Sequence, residues 1–211
     1  MVYLATIFNE VIPINLAKRI TMACIGFALI GFAVAALRLI GLGIDPLGAM
    51  TLGFSYLTGL SFGTVLLLIH LPVFVVMYWK TRGFIGIGTV IGMVGIGYAT
   101  DFFFFLGSFF AIAELPLALR LGLLVFTVVI FAFGIAIYTV AAIGMVPFDA
   151  IGMIAEELTG GKIKFKWGRL GMDAISAFTA FLLGAPLGVA TLLAVAGLGP
   201  LISWFRQKIK P

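Results

Sequence analysis

The chain has 211 residues, of which 63% are hydrophobic and only 10% charged, and its mean hydropathy is +1.27. A soluble globule of this size needs more polar surface, so the composition excludes one and places the chain in lipid. The formal net charge of +5 does not point to nucleic acid, because Lys and Arg stand at the ends of apolar segments, and a single cysteine, Cys24, excludes an intrachain disulfide or a thiolate metal cluster.

In chain order, the first apolar stretch, about residues 20–40 of a span at 16–40, is longer than a signal-peptide core and no small-residue cleavage site follows it. It is expected to stay as a span, with Cys24 a small lipid- or helix-facing side chain. Arg38, near its outer end, either snorkels to the headgroups or faces a cavity. Glycine-rich backbone from Gly41 to Asp45 then leads into a short helix, 46–59. Pro46 suits the first helical position, Asp45 the N-cap and Gly59 the left-handed residue after the end. A second short helix, 147–159, has the same build, with Pro147 first and Gly160 last. Each would cover ~20 Å at ~1.5 Å per residue, short of a ~30 Å hydrocarbon core. Both are therefore read as half-helices that finish near a surface and begin deeper.

Spans at 61–80 and 85–106 follow the first half-helix. His70 precedes Pro72 and reads as a histidine bonded to backbone freed by the proline, with a proton relay as the alternative. The glycines from Gly83 to Gly97, and later from Gly184 to Gly199, read as close helix packing. Asp101 is placed to neutralise Arg120 or Arg38 in an outer-face ion pair. Phe102 to Phe105, Phe109 and Phe110 cover too many faces of one helix to form a binding box and suit lipid contact.

A span at 116–142 precedes the second half-helix, whose opening turn holds Asp149. An acid there either coordinates a solute or satisfies the free amides of the first turn. Glu156 and Glu157 with Lys162 and Lys164 read as a solvated cluster. In the next span, 163–184, Arg169 and Asp173 are four apart and suit an ion pair, with gating or proton coupling as the alternative. A last span covers 187–206. Trp79, Trp167 and Trp204 lie beside basic residues as interface anchors.

The two halves repeat. Leu16, Ala17, Arg19, Pro46 and Leu57-Thr58-Gly59 find Leu117, Ala118, Arg120, Pro147 and Leu158-Thr159-Gly160 at a spacing of 101 residues, and Gly86, Thr89, Gly95, Gly97 and Phe103 find Gly188, Thr191, Gly197, Gly199 and Phe205 at 102. Three spans per half make the second half upside down relative to the first. With a cytoplasmic N-terminus, every Lys and Arg except Arg38 and Arg120 then falls inside, Lys210 in the tail included. Eight full spans would give parallel halves with a similar charge balance, so helix length carries the choice.

At the two proline motifs, at Gly59-Leu60-Ser61-Phe62-Gly63-Thr64 and at Gly188-Val189-Ala190-Thr191, the chain resembles the YczE-like branch of the bacterial YczE/YyaS/YitT membrane proteins. Pro147-Phe148-Asp149, Arg169 with Asp173, and Gly197-Leu198-Gly199-Pro200 fall in that family's order. Leu47 and Gly48 stand where the family often has an aromatic and an acid. The resemblance implies an inner-membrane protein of a family without an established biochemical activity.

The expected architecture is an all-α integral membrane protein, one membrane domain over 1–211, with inverted repeats at about 10–106 and 112–206. Each has three transmembrane helices and one proline-started half-helix. The expected function is transport of an unidentified small solute across the bacterial inner membrane, with both termini cytoplasmic, and the bilayer is the surrounding partner. The site would lie near the midplane between the half-helices, at Asp45, Pro46, Pro147 and Asp149. Arg38, Asp101, Arg169 and Asp173 would gate it or pair. No catalytic residue, metal, cofactor or nucleic-acid partner is expected, because there is no histidine pair, no nucleophile with a nearby base and no dinucleotide motif. The alternative is a non-transporting scaffold or regulator acting through Lys162 to Arg169. The glycine faces suit packing within one chain or between two copies in a homo-oligomer.

Overall fold

A computed structural model describes residues 15–209; Lys210 and residues 10–14 of the first repeat lie outside them. The described residues form eight α-helices and two short 3-10 turns, with no strand. The helices are α1 (Leu16–Ile40), α2 (Pro46–Thr58), α3 (Phe62–Lys80), α4 (Ile87–Gly107), α5 (Leu117–Ala141), α6 (Pro147–Leu158), α7 (Phe165–Leu182) and α8 (Val189–Lys208). Five of them, α1, α3, α4, α5 and α8, are long and apolar enough to cross a membrane. The expected span at 163–184 is the exception: α7 has 18 residues and carries Lys166, Arg169 and Asp173, a charge load that only a protein interior or a wet cavity accommodates.

Helix α1 and helix α5 form the centre. They pack side by side and antiparallel, since Arg19 meets Ala141, Gly26 meets Gly134 and Arg120 meets Ile40. The small residues at that crossing bring the two backbones together: a Cβ on Gly26 would stand 2.7 Å from the Gly134 carbonyl oxygen. Helix α4 lies parallel to α1, with Gly31 against Ala99, and α8 lies parallel to α5, with Phe133 against Phe205. The four therefore form two oppositely directed pairs.

Where α1 and α5 end, the chain unwinds, and each unwound stretch is satisfied by the other half. Arg19 Nε donates to Ala141 O at 2.7 Å and its Nη2 to Ala142 O, while Arg120 Nε donates to Ile40 O at 2.8 Å and its Nη2 to Gly41 O at 3.1 Å. These guanidinium groups supply partners for carbonyls that a helix end leaves open. Further along, Gly88 N donates to Ile143 O at 2.8 Å and Ala190 N to Leu42 O at 3.0 Å. The free amides of α4 and α8 thus meet the free carbonyls after α5 and α1, which is how irregular backbone is tolerated in lipid.

Ile143 and Leu42 sit against the first turns of α4 and α8, and the chain then runs inward: Val146 reaches Gly92 and Phe27, and Asp45, Pro46 and Asp149 line one cavity with Ile30 of α1 and Ile135 of α5. The second short helix ends one residue early, with Thr159 in the cap position and Gly160 beyond it at φ 60°. The Phe reading is met in part: Phe102, Phe105, Phe109 and Phe110 are exposed, whereas Phe103 packs on Phe32.

Gly43 has φ 95° and Gly144 has φ 123°, and a Cβ on them would stand 2.5 Å from Gly188 N and 2.7 Å from Gly86 N. Gly43→Ala and Gly144→Ala should each cost about 1–3 kcal/mol through left-handed strain and backbone displacement. The readout is the thermal unfolding midpoint in detergent, where Gly83→Ala, a site with open space around it, should leave the midpoint unchanged.

Candidate functional site

A cavity of about 340 Å³ lies between the two halves. Its apolar wall comes from α1 (Ile30, Val34), α3 (Phe62, Leu66), α5 (Phe131, Ile135) and α8 (Leu198, Ile202). A space of this size with a few convergent polar groups is what a small-molecule site requires. The polar lining consists of Asp45, His70, Tyr138, Asp149, Arg169 and Asp173, with Thr139, Ser203 and Arg206 towards one end.

Arg169 organises the charged part. Its Nη1 lies 2.5 Å from Asp149 Oδ1 and its Nε 3.4 Å from Asp173 Oδ2. The Tyr138 hydroxyl donates to the second oxygen of Asp149, and the Arg169 guanidinium stands over the Phe148 ring at 5.1 Å. Asp149 is thus held by an arginine and a tyrosine from two other helices, and not by the amides of the turn it opens. One arginine between two acids leaves the trio with a net negative charge.

Asp45 and His70 differ from that trio because they keep unused capacity. Asp45 Oδ2 accepts from Gly48 N at 3.0 Å, as the N-cap position predicts, but Oδ1 has no partner. Neither ring nitrogen of His70 has one either, so the expected bond to backbone near Pro72 is not formed. Both residues are nine-tenths or more buried, at 8% and 1% exposure. Buried polar atoms without partners are uncommon enough to call for a ligand or water.

The expected site residues divide. Asp45, Pro46 and Asp149 line the cavity, as do Arg169 and Asp173; Pro147 is fully buried and is not part of the lining. Arg38 and Asp101 lie outside it. Arg38 neither snorkels nor faces the cavity: its guanidinium stacks on Phe104 at 3.8 Å and Phe62 at 5.0 Å and lies 3.8 Å from Asp101 Oδ1. Asp101 Oδ2 also accepts from Gly63 N at 2.8 Å, while Arg120 is occupied with the carbonyls of Ile40 and Gly41. Glu156 forms no ion pair with Lys162 or Lys164; it accepts from Phe165 N at 3.0 Å and caps α7. Tyr138 and Arg206 carried no signal beyond an ordinary aromatic and a basic tail.

The cavity has a closed end and an open one. At the closed end α3 packs along α4, with a Cβ on Gly97 standing 2.7 Å from Gly63 Cα. The corresponding pair, α7 and α8, barely touch, and Gly199 faces open space. Phe165, Ser203 and Arg206, all exposed, line the cavity at this mouth. The packing reading of the second glycine series therefore holds at Gly188 and fails at Gly184, Gly197 and Gly199.

Residues 17–207 match a family described as a family of unknown function (DUF6198). The chain is 30% identical over 181 residues to a Bacillus subtilis (strain 168) protein named "Uncharacterized membrane protein YczE", covering 85% of this chain and 81% of that one. No solved structure matches.

Arg169→Met should destabilise the protein by about 2–3 kcal/mol, because it leaves two carboxylates unneutralised, with some relief from solvent in the cavity. Adding Asp149→Asn should recover part of the loss. Thermal midpoints of the two single variants and the double form the cycle, and strict additivity would mean that Arg169 and Asp149 are not coupled.

Proposed function

We propose that this chain, which belongs to the YczE-like DUF6198 family of membrane proteins, carries a small solute across the bacterial cell (inner) membrane. The observation behind the reading is the cavity between the halves, closed where α3 meets α4 and open where α7 leaves α8. The two halves are inverted repeats. Supporting this, the long helices run in opposite directions, and residues paired in the sequence act alike: Arg19 and Arg120 cap the facing helix, and Gly88 and Ala190 dock on the facing unwound segment.

In such a molecule the two ends differ only in which repeat has the compact arrangement. Exchanging the conformations of the repeats would bring α7 onto α8 at Gly199 and release α3 from α4 at Gly97. The solute would then face the opposite side while α1 and α5 stay fixed. Arg38, Asp101 and the Gly63 amide hold the closed end in the present state. These positions support gating roles for Arg38 and Asp101, and a place in the solute site for Asp45, Pro46, Asp149, Arg169 and Asp173.

The distribution of basic residues supports a cytoplasmic side for the open mouth and both termini. In a Cys24→Ser background, Gly83→Cys and Lys162→Cys should react with a membrane-impermeant thiol reagent from one side, and Ser108→Cys from the other. All three positions are exposed. Reaction of Gly83→Cys and Lys162→Cys from opposite sides would mean that the short helices cross the membrane and would end the inverted-repeat reading. Transport itself predicts that a bifunctional maleimide joining Phe165→Cys to Ser203→Cys abolishes solute counterflow in proteoliposomes at least tenfold.

A further inference from the structure

We propose that the solute is a small organic monocation with an apolar body, an amine of phenylalkyl or similar type, whose ammonium group is recognised by Asp45. This rests on reading the cavity as a solute site. It identifies the chemistry that the cavity accepts.

Charge supplies the first part of the argument. Away from the mouth, the ionisable lining comprises Asp45, Asp149 and Asp173 against Arg169, with His70 beside them. Asp149 and Asp173 are both committed to Arg169. Asp45 is not, and it feels Asp173 as a second negative neighbour as well as the Arg169 guanidinium. An anionic solute would enter as a further negative charge, with only the guanidinium of Arg169, already shared between two carboxylates, to receive it. A cation meets an acid whose Oδ1 has no partner. The positive end of α2 opposes it with roughly half a charge, against the full charge of the carboxylate.

Hydrogen-bonding capacity and shape supply the rest. The Asp45 carboxylate keeps one unpartnered oxygen to accept an ammonium hydrogen, and His70 lines the same cavity. The remaining wall is made of Ile30, Val34, Phe62, Leu66, Phe131 and Ile135, which would receive an apolar body and nothing polar. A cavity of about 340 Å³ takes a molecule of phenylethylamine size with room to spare, whereas a bare metal cation or ammonium would leave that wall unfilled.

A charge series on one carbon skeleton tests the proposal: 2-phenylethylamine, neutral 2-phenylethanol and anionic phenylacetate, titrated at pH 7 into the purified full chain in detergent by calorimetry and thermal unfolding. The amine should bind, raise the unfolding midpoint and exceed both analogues at least tenfold in affinity. Asp45→Asn keeps the cap acceptor and removes the charge, so it should reduce amine affinity tenfold or more with little change in the unliganded midpoint. Should that variant fail to fold, Asp45→Ser, which also caps, carries the same expectation. Preference for phenylacetate, equal binding of phenylethanol, or no binding of any of the three overturns the proposal. Counterflow of the amine in proteoliposomes is measured separately. Binding without counterflow sinks the transport reading and leaves the ligand class standing; counterflow of another solute with no amine binding does the reverse.

Discussion

The structure depends on an exchange of backbone hydrogen bonds between its two halves. Lipid offers no partner to an open carbonyl, so a chain that unwinds within a membrane protein must find its partners in the protein. Here the partners come reciprocally. Arg19 and the first turn of α4 serve the segment after α5, and Arg120 and the first turn of α8 serve the segment after α1. Neither half closes its own broken segment, so neither is satisfied alone. The close approach needed for this exchange explains the glycines on both sides of each contact, Gly43 against Gly188 and Gly144 against Gly86.

Upon that shared frame the halves diverge in what they place between them. Position 48 is a glycine packed under the Asp45 carboxylate, whereas its counterpart 149 is an acid held by Arg169 and Tyr138. Gly97 lies against another backbone and Gly199 lies against nothing. The first half thus supplies the tight contact, and the second supplies the Arg169–Asp149–Asp173 cluster and the opening. A perfectly symmetric dimer of repeats would have neither a preferred open end nor a charged cluster on one side of its cavity.

Much of the frame was legible from local chemistry. Proline at a helix start and a left-handed glycine at its end act within one turn, so α2 is bounded as Pro46 and Gly59 dictate, and Asp45 caps it through an oxygen that needs only Gly48. Arg169 and Asp173 were legible for the same reason, being one helical turn apart. Illegible were the contacts made by folding. Asp149 reaches Arg169 across two helices, and Arg38 turns from the lipid surface to Phe104 because that ring is brought over it by α4. Helix length says that α2 and α6 are too short to span, but only the docking of Leu42 and Ile143 on the first turns of α8 and α4 fixes the path by which the chain reaches them.

The division of labour in the cavity follows from the unequal costs of its groups. Apolar wall atoms give a solute affinity of about 25 cal/mol per Å² removed from water, with little regard to which apolar body arrives. Discrimination must come from the polar atoms, since leaving a buried acceptor unpaired costs about 1–3 kcal/mol and more for a charge. Arg169 is shared between two carboxylates. The Asp45 Oδ1 and His70 nitrogens, by contrast, have no partner in the protein. A solute that satisfies them removes a penalty already present in the empty cavity, and one of the same shape without donors leaves it standing. On the solute-site proposal, selectivity resides at the cap of α2, where the capping residue of a short helix also lines the cavity.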